Sequence, residues 1–328
     1  MSLLSINDLR ISFFTPAGEV KAVNGISYDL DEGEVLGIVG ESGSGKSVSM
    51  SALMKLLVFP GRVVGGDIQF DGQDIGKLTA GAMREIRGRD ISMIFQDPMT
   101  SLNPVYSIGN QLVEMIRLHT MLSKRDARKR AVEMLSLVGI NNPERRIRQY
   151  PHELSGGMRQ RVMIAMAMSC SPRLLIADEP TTSLDVTIQA QILELMKQMK
   201  KESGASIILI THDLGIVSEI CSRVIIMYAG KIVETGSVED IYYKPSHPYT
   251  KGLLNCLPQK GEAGRVPLKP IEGNPVDLLN LPAGCPFASR CSHCMKICLK
   301  QAPPDFLLDQ GHVSSCWLHT VNESGGKP

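Results

Sequence analysis

Apolar, β-rich runs open the chain at Ile6–Phe14, Val20–Leu30 and Val35–Val39, with Gly18 and Gly33 between them. From Lys46 to Leu57 the pattern turns helical, and Asp67–Phe70 and Ile91–Phe95 return to strand. Between residues 107 and 170 apolar positions recur every three or four residues, in Ile108–Leu118, Ala127–Val138 and Met158–Ser169. That stretch predicts a helical insertion. Strands and helices then alternate: Leu174–Ala177, Val186–Lys201, Ile207–Ile210, Leu214–Glu219 and Val224–Met227. Such alternation predicts a largely parallel sheet flanked by helices, an α/β architecture. After about residue 245 the periodicity fades, prolines and glycines become frequent, and a small appended domain with little core of its own is expected.

Composition narrows the class. The 328 residues are 43% hydrophobic and 21% charged, which fits a globular chain of one large domain or two. A net charge of +1 gives no basic field for nucleic acid. Apolar runs such as Ile207–Ile210 are too short to span a bilayer, and Met1–Arg10 does not read as a signal peptide. The expectation is therefore a cytosolic chain whose membrane association comes through partners.

Two segments carry phosphate chemistry. Gly40-Glu41-Ser42-Gly43-Ser44-Gly45-Lys46-Ser47, followed by Val48, fits the P-loop pattern G-x-x-x-x-G-K-[ST]. It follows the strand Val35–Val39 and opens a helix, the context that the pattern needs. Its glycines let backbone N–H groups curl around phosphate oxygens, and the helix N-terminus adds its dipole. Lys46 can reach the β and γ phosphates, and Ser47 can ligate Mg²⁺. Leu174–Glu179 is the natural partner: a buried strand ending in two carboxylates. Asp178 would hold Mg²⁺ through water, and Glu179 would serve the attacking water as base. Each motif has a plainer reading, as a glycine-rich turn and as a strand ending at an acidic turn.

Leu154-Ser-Gly-Gly-Met-Arg-Gln-Arg161 resembles the signature sequence of ABC-transporter ATPases, with Met158 where many members have Gln. Other motifs of that family stand in its order. Gln96 matches the Q-loop, Ser183-Leu184-Asp185 the D-loop, and His212 the switch histidine. Phe13 matches the aromatic that stacks on adenine, with Phe14 as an alternative. The resemblance covers about residues 3–245. It implies a P-loop NTPase (RecA-like) core with an antiparallel β subdomain and a helical signature subdomain at about 97–170. It further implies a head-to-tail dimer in which Ser155, Gly156 and Gly157 complete the partner's ATP site. Gln96 would be a further Mg²⁺ ligand, His212 would contact the γ-phosphate, and Asp97–Val105 would face a permease. By themselves Ser155 reads as a helix cap, and His212 and Gln96 as ordinary polar residues.

The tail resembles the peptide/nickel importer branch of the family, in Ser246-His-Pro-Tyr-Thr250 and in Gly284-Cys285-Pro-Phe-Ala-Ser-Arg290-Cys291. Five of the eight cysteines lie between Cys285 and Cys316. The branch implies a [4Fe–4S] cluster on Cys285, Cys291, Cys298 and Cys316, and the same thiols would suit zinc. Cys294 is then spare, and five free thiols in a loop domain is the plainer reading. The division implied is an ATPase domain over 1–245 and a Cys-rich domain over 246–328. The implied partners are a second ATPase subunit (a paralogue, giving a heterodimer, with a second copy as the alternative), two membrane permeases and an extracytoplasmic binding protein. The chain would then sit peripherally on the cytoplasmic face of the membrane and power peptide uptake. Uptake of nickel or another small solute is an alternative, as is a soluble ATPase acting on DNA or ribosomes.

Overall fold

The computed structural model describes residues 2–97, 101–182, 184–257 and 270–320. In chain order its elements begin with β1 (Ser2–Thr15), β2 (Gly18–Asp31), β3 (Val35–Val39), α1 (Lys46–Leu53), β4 (Gly61–Phe70) and β5 (Gln73–Asp74). There follow α2 (Ala80–Ile86), β6 (Ile91–Ile94), α3 (Ile108–His119), α4 (Lys124–Leu137), α5 (Pro143–Arg146) and α6 (Gly156–Met168). Next come β7 (Leu174–Asp178), α7 (Val186–Ser203), β8 (Ser206–Thr211), α8 (Leu214–Ile220), β9 (Arg223–Tyr228) and β10 (Lys231–Ser237). The chain ends in α9 (Val238–Tyr243), α10 (Pro248–Asn255), β11 (Phe306–Asp309) and β12 (His312–Ser314). The fold is α/β, as the alternation predicts.

The chain divides into two compact units. One holds residues 30–35 and 77–210 with the first three residues; the other holds 4–29, 36–76 and 211–328.

In the first unit, β6, β7 and β8 form a parallel ladder, with Ile91 opposite Leu174 and Leu174 opposite Ser206. β7 and β8 are buried along their whole length, which is why they read as unbroken apolar runs. The predicted helical insertion is present. α3 turns Ile108, Leu112 and Ile116 inward and packs on α4, whose buried residues are Ala127, Ala131, Met134 and Leu135. Five of the described helices here begin at a capping side chain. Thr79, Ser107, Ser123, Ser155 and Asp185 each accept a hydrogen bond from the N–H three residues on.

In the second unit, one sheet runs in the order β2-β1-β4-β5. β4 starts at Gly61, earlier than the apolar run at Asp67–Phe70 suggests. Its first half pairs antiparallel with β1, Phe13 opposite Gly61 and Ile11 opposite Val63, so the main-chain ladder forms it rather than side-chain burial. The other sheet begins with β3, whose Leu36–Val39 pair in parallel with β9. β10 runs antiparallel to β9, β12 to β10 and β11 to β12. The C-terminal region thus adds strands to a sheet that already exists. α10 and Phe287 complete the same core, in which Val39, Val224, Ile226, Tyr228, Tyr249 and Phe287 are all buried together. Phe287 meets the rings of Tyr228 and Tyr249 at 5.3 Å each. That sharing explains how a tail with so little apolar periodicity folds.

Two predictions follow from this core. Phe287→Ala should lower unfolding stability by about 3–5 kcal/mol in denaturant titration. The second concerns His247, which is buried and whose Nδ1 accepts the Tyr249 N–H at 3.1 Å. Burial, aided by His319 and Lys251, pushes its pKa down from 6.5 to about 3. Between those values the unfolded chain binds a proton that the folded chain refuses. Stability should therefore fall as pH drops below 6.5, at up to about 1.4 kcal/mol per pH unit, and His247→Gln should flatten that slope.

Candidate functional site

In the second unit the chain leaves buried β3 at Val39 and turns through residues 40–45 into α1. Gly43 and Gly45 lie at φ 79° and 99°, where a side chain is strained. Gly40 is required for a different reason, since an added Cβ would lie 2.2 Å from the Met227 carbonyl oxygen. Gly45 is the N-cap of α1 and brings no capping side chain. The Lys46 side chain folds back beneath the loop. Its Nζ donates to Gly40 O at 2.6 Å, to Glu41 O at 2.9 Å and to Ser44 Oγ at 3.4 Å. The residue is only 5% exposed. Ser47 lies at the surface of the first turn and Val48 is half-buried beside it. A bare helix start, glycines at positive φ and a buried ammonium form a donor set that fits a polyphosphate.

Two aromatics from β1 belong to this unit. Phe13 is half-buried against Gly61, whereas Phe14 is 48% exposed and has the Arg62 guanidinium 5.9 Å from its ring centroid. His212 follows the last residue of β8 and is exposed, one position before Asp213, which caps α8.

The first unit gathers the acidic residues. Asp178 ends β7 and is buried. Glu179 stands at φ 47°, a left-handed conformation that non-glycine residues avoid. Its N–H donates to Ile210 O at 2.9 Å, which ties the turn to β8. Its Oε2 accepts from Gln96 Nε2 at 2.8 Å and from Thr182 Oγ1 at 2.9 Å. Two residues singled out in the sequence, Gln96 and Glu179, are thus in direct contact. Thr182 completes the arrangement and carried no signal beyond standing three residues after the carboxylate. Such strain is maintained where neighbours over-determine the turn, here two donors to one carboxylate oxygen and one backbone bond.

The signature stretch opens α6. Ser155 Oγ accepts the Met158 N–H at 3.4 Å, so the helix-cap reading describes one of its bonds. An added Cβ on Gly156 would meet nothing within 4 Å, leaving an open face at the helix start. Asp185 Oδ1 caps α7 through the Ile188 N–H at 2.9 Å. Ser183 lies outside the described residues, as do Pro98, Met99 and Thr100 of the stretch expected to face a permease.

Residues 23–182 match the family described as "ABC transporter", and residues 233–298 match "Oligopeptide/dipeptide transporter, C-terminal region". The oligopeptide transport ATP-binding protein OppD of Bacillus subtilis is 55% identical over 96% of this chain and 88% of its own. The chain belongs to the ABC transporter family. Its similarity extends to the dipeptide transport ATP-binding protein DppD of Bacillus subtilis, 52% identical over 96% of this chain and 94% of that one. Among solved structures, a dimeric ATP-binding cassette in a post-hydrolysis state bound to ADP and Pi superposes with a TM-score of 0.65. It is 25% identical and covers 72% of this chain and 98% of its own. The cbiO1 structure from Clostridium perfringens gives 0.63, at 30% identity over 74% of this chain and 91% of that one. The fold is that of an ABC cassette, and this ABC protein is an ATPase. No described helix is long and apolar enough to cross a membrane.

The expected iron–sulfur cluster, and zinc in its place, is corrected by the tail of this ABC ATPase. Cys285, Cys291, Cys298 and Cys316 line one small cavity, and all eight cysteines are free. Yet among the described residues no three His, Cys, Asp or Glu side chains are disposed to hold a metal ion. Cys285 and Cys291 instead pack against the aromatic core. Burial pushes the Cys285 thiol up to about 11 and raises those of Cys291 and Cys316. The spare Cys294 is exposed.

Sequence reasoning also missed two groups that hold the loop at Glu41, Arg290 and Tyr249, and Tyr228, whose hydroxyl accepts from Arg290. An acidic side chain inside an anion-binding loop was the available signal, because it calls for a cation nearby. Gly45→Ala would force its Cβ to within 2.5 Å of Ala22 O at a φ that alanine avoids. It should weaken ATP binding more than tenfold, an effect of about 1.4 kcal/mol or more, in equilibrium titration.

Proposed function

We propose that this chain binds and hydrolyses ATP to power uptake of peptides through a membrane ABC importer. The observation that carries the peptide assignment is the pair of matches on one chain, an ABC transporter segment followed by an oligopeptide/dipeptide transporter C-terminal region. Relatives similar over 96% of the chain are described as oligopeptide and dipeptide transport proteins, which favours peptide over nickel or work on DNA or ribosomes.

In this reading the stretch from Gly40 to Val48 takes the phosphates of ATP, with Lys46 countering the charge of the β and γ groups. The buried ammonium and the positive-φ glycines support it. Ser47 is a hydroxyl ligand for Mg²⁺, and Asp178 and Gln96 are the further ligands that the family pattern assigns. Mg²⁺ would supply charge neutralisation at the phosphates. Glu179 takes a proton from the attacking water, and its paired donors, Gln96 and Thr182, fix the carboxylate's direction. His212 contacts the γ-phosphate, and Phe13, or Phe14, stacks on adenine. Ser155, Gly156, Gly157 and Asp185 serve the ATP site of a second ATPase subunit. ATP then favours the closed dimer by its higher affinity for that state.

The ATPase domain extends over 1–245, with its helical subdomain at about 97–170, and the C-terminal domain over 246–328. The chain acts at the cytoplasmic face of the membrane, held there by two permeases that receive peptide from an extracytoplasmic binding protein.

Turnover and nucleotide binding, measured separately, test these roles. Glu179→Gln should retain ATP binding and lose turnover by about a hundredfold or more. Lys46→Ala should lose both. In vesicles holding the complete importer, peptide-loaded binding protein should stimulate ATP hydrolysis. Hydrolysis indifferent to peptide would overturn the peptide assignment, and wild-type turnover in Glu179→Gln would remove its catalytic role.

A further inference from the structure

Glu41 is an odd residue for its place. It is the second position of a loop that collects N–H donors for anions, and its carboxylate brings a negative charge there. Every polar part of it is nevertheless engaged. Its carbonyl accepts from Lys46 Nζ at 2.9 Å, and its N–H donates to Tyr249 Oη at 2.9 Å. Its carboxylate takes a two-pronged pair from Arg290, Nη1 to Oε2 at 2.6 Å and Nη2 to Oε1 at 3.0 Å.

Arg290 itself is closely held. Its side chain is 4% exposed, against 26% for Glu41. Nε donates to Glu272 O and Nη2 to Ile271 O, at 3.0 and 3.3 Å. The guanidinium carbon lies 5.8 Å from the ring centroids of both Tyr228 and Phe287. Hydrogen bonding to Glu41 raises its pKa further, so the charge is permanent. Three further residues of the C-terminal region, Pro275, Val276 and Leu278, line a small cavity with Glu41, Ser42, Gly43 and Ser44.

We propose that Arg290 is a positioning residue for ATP binding: from the C-terminal region it neutralises Glu41 and fixes the phosphate loop through it. The inference rests on the loop being the site of the ATP phosphates. A paired, buried fork of this kind holds direction as well as charge. Without it, Glu41 would face the incoming polyphosphate as a bare carboxylate, and the loop would lose the anchor next to the Lys46 acceptor. The C-terminal region thereby sets nucleotide affinity as well as completing the fold.

The test is equilibrium titration of the full-length chain with a non-hydrolysable ATP analogue and Mg²⁺. Arg290→Leu should weaken binding about tenfold, and the loss should shrink at about 0.5 M salt, where charge repulsion is screened. Adding Glu41→Gln to Arg290→Leu removes the orphaned carboxylate and should restore affinity to within about twofold of wild type. Arg290→Lys keeps the charge without the fork and should lose about threefold, and it gives the reading if the leucine variant is too unstable to titrate. Wild-type affinity in Arg290→Leu, or a double variant as weak as the single one, overturns the proposal. Lys46→Ala separates the two levels of the argument. If it binds the analogue as wild type does, the phosphate-loop reading fails; if it is impaired while the Arg290 variants are not, only the role of Arg290 fails.

Discussion

A loop suited to phosphate has to present its N–H groups and keep its ammonium close at hand, and several contacts of the second unit serve that requirement. Lys46 lies beneath the loop on carbonyls of Gly40 and Glu41, in place of the water that would solvate it at the surface. Those carbonyls stay in position because the loop is free of Cβ atoms where backbone passes closest, at Gly40 and Gly45. The adjoining backbone is pinned as well: Gly230 N–H donates to Ser44 O at 3.0 Å, and Asn24 N–H to Gly230 O at 2.8 Å. Binding then requires little reordering of the loop, and less of the interaction energy is spent on fixing it.

The C-terminal region meets a different constraint. It has too few apolar residues for a core of its own, so it uses one already built. β12 pairs with β10, and Phe287 joins Tyr228 and Tyr249. Glu234, fully buried in β10, accepts from the Ser246 and His247 N–H groups at 2.8 and 2.9 Å and pairs with His312 Nε2 at 2.8 Å. A buried carboxyl group with several hydrogen-bond partners is well satisfied. Aromatic packing and this carboxylate hold the region to the sheet.

At the end of β7 the backbone strain at Glu179 is local and has identifiable opponents. The bond from its N–H to Ile210 O holds the turn to the neighbouring strand, and Gln96 with Thr182 holds the side chain. Gln96 directly precedes the stretch leading to the helical insertion.

The sequence by itself determined the motifs and most of the elements that carry them. Glycine spacing, the run of apolar residues before Asp178 and Glu179, and capping residues such as Ser107 and Asp185 act over a few neighbouring positions, so they can be read from neighbours alone. The same locality left the fold of the tail illegible, although its motifs placed it in the peptide importer branch. β11 and β12 are short strands, β11 partly exposed, that exist because β10 offers an edge, and the half of β4 at residues 61–66 exists because β1 does. Cysteine spacing suggested a metal, but whether thiols converge as ligands or pack as neutral side chains depends on what surrounds them, which spacing does not encode. Only the tertiary structure put Arg290 on Glu41 and Tyr249 on its N–H, because contacts between residues some two hundred positions apart depend on how the intervening chain folds.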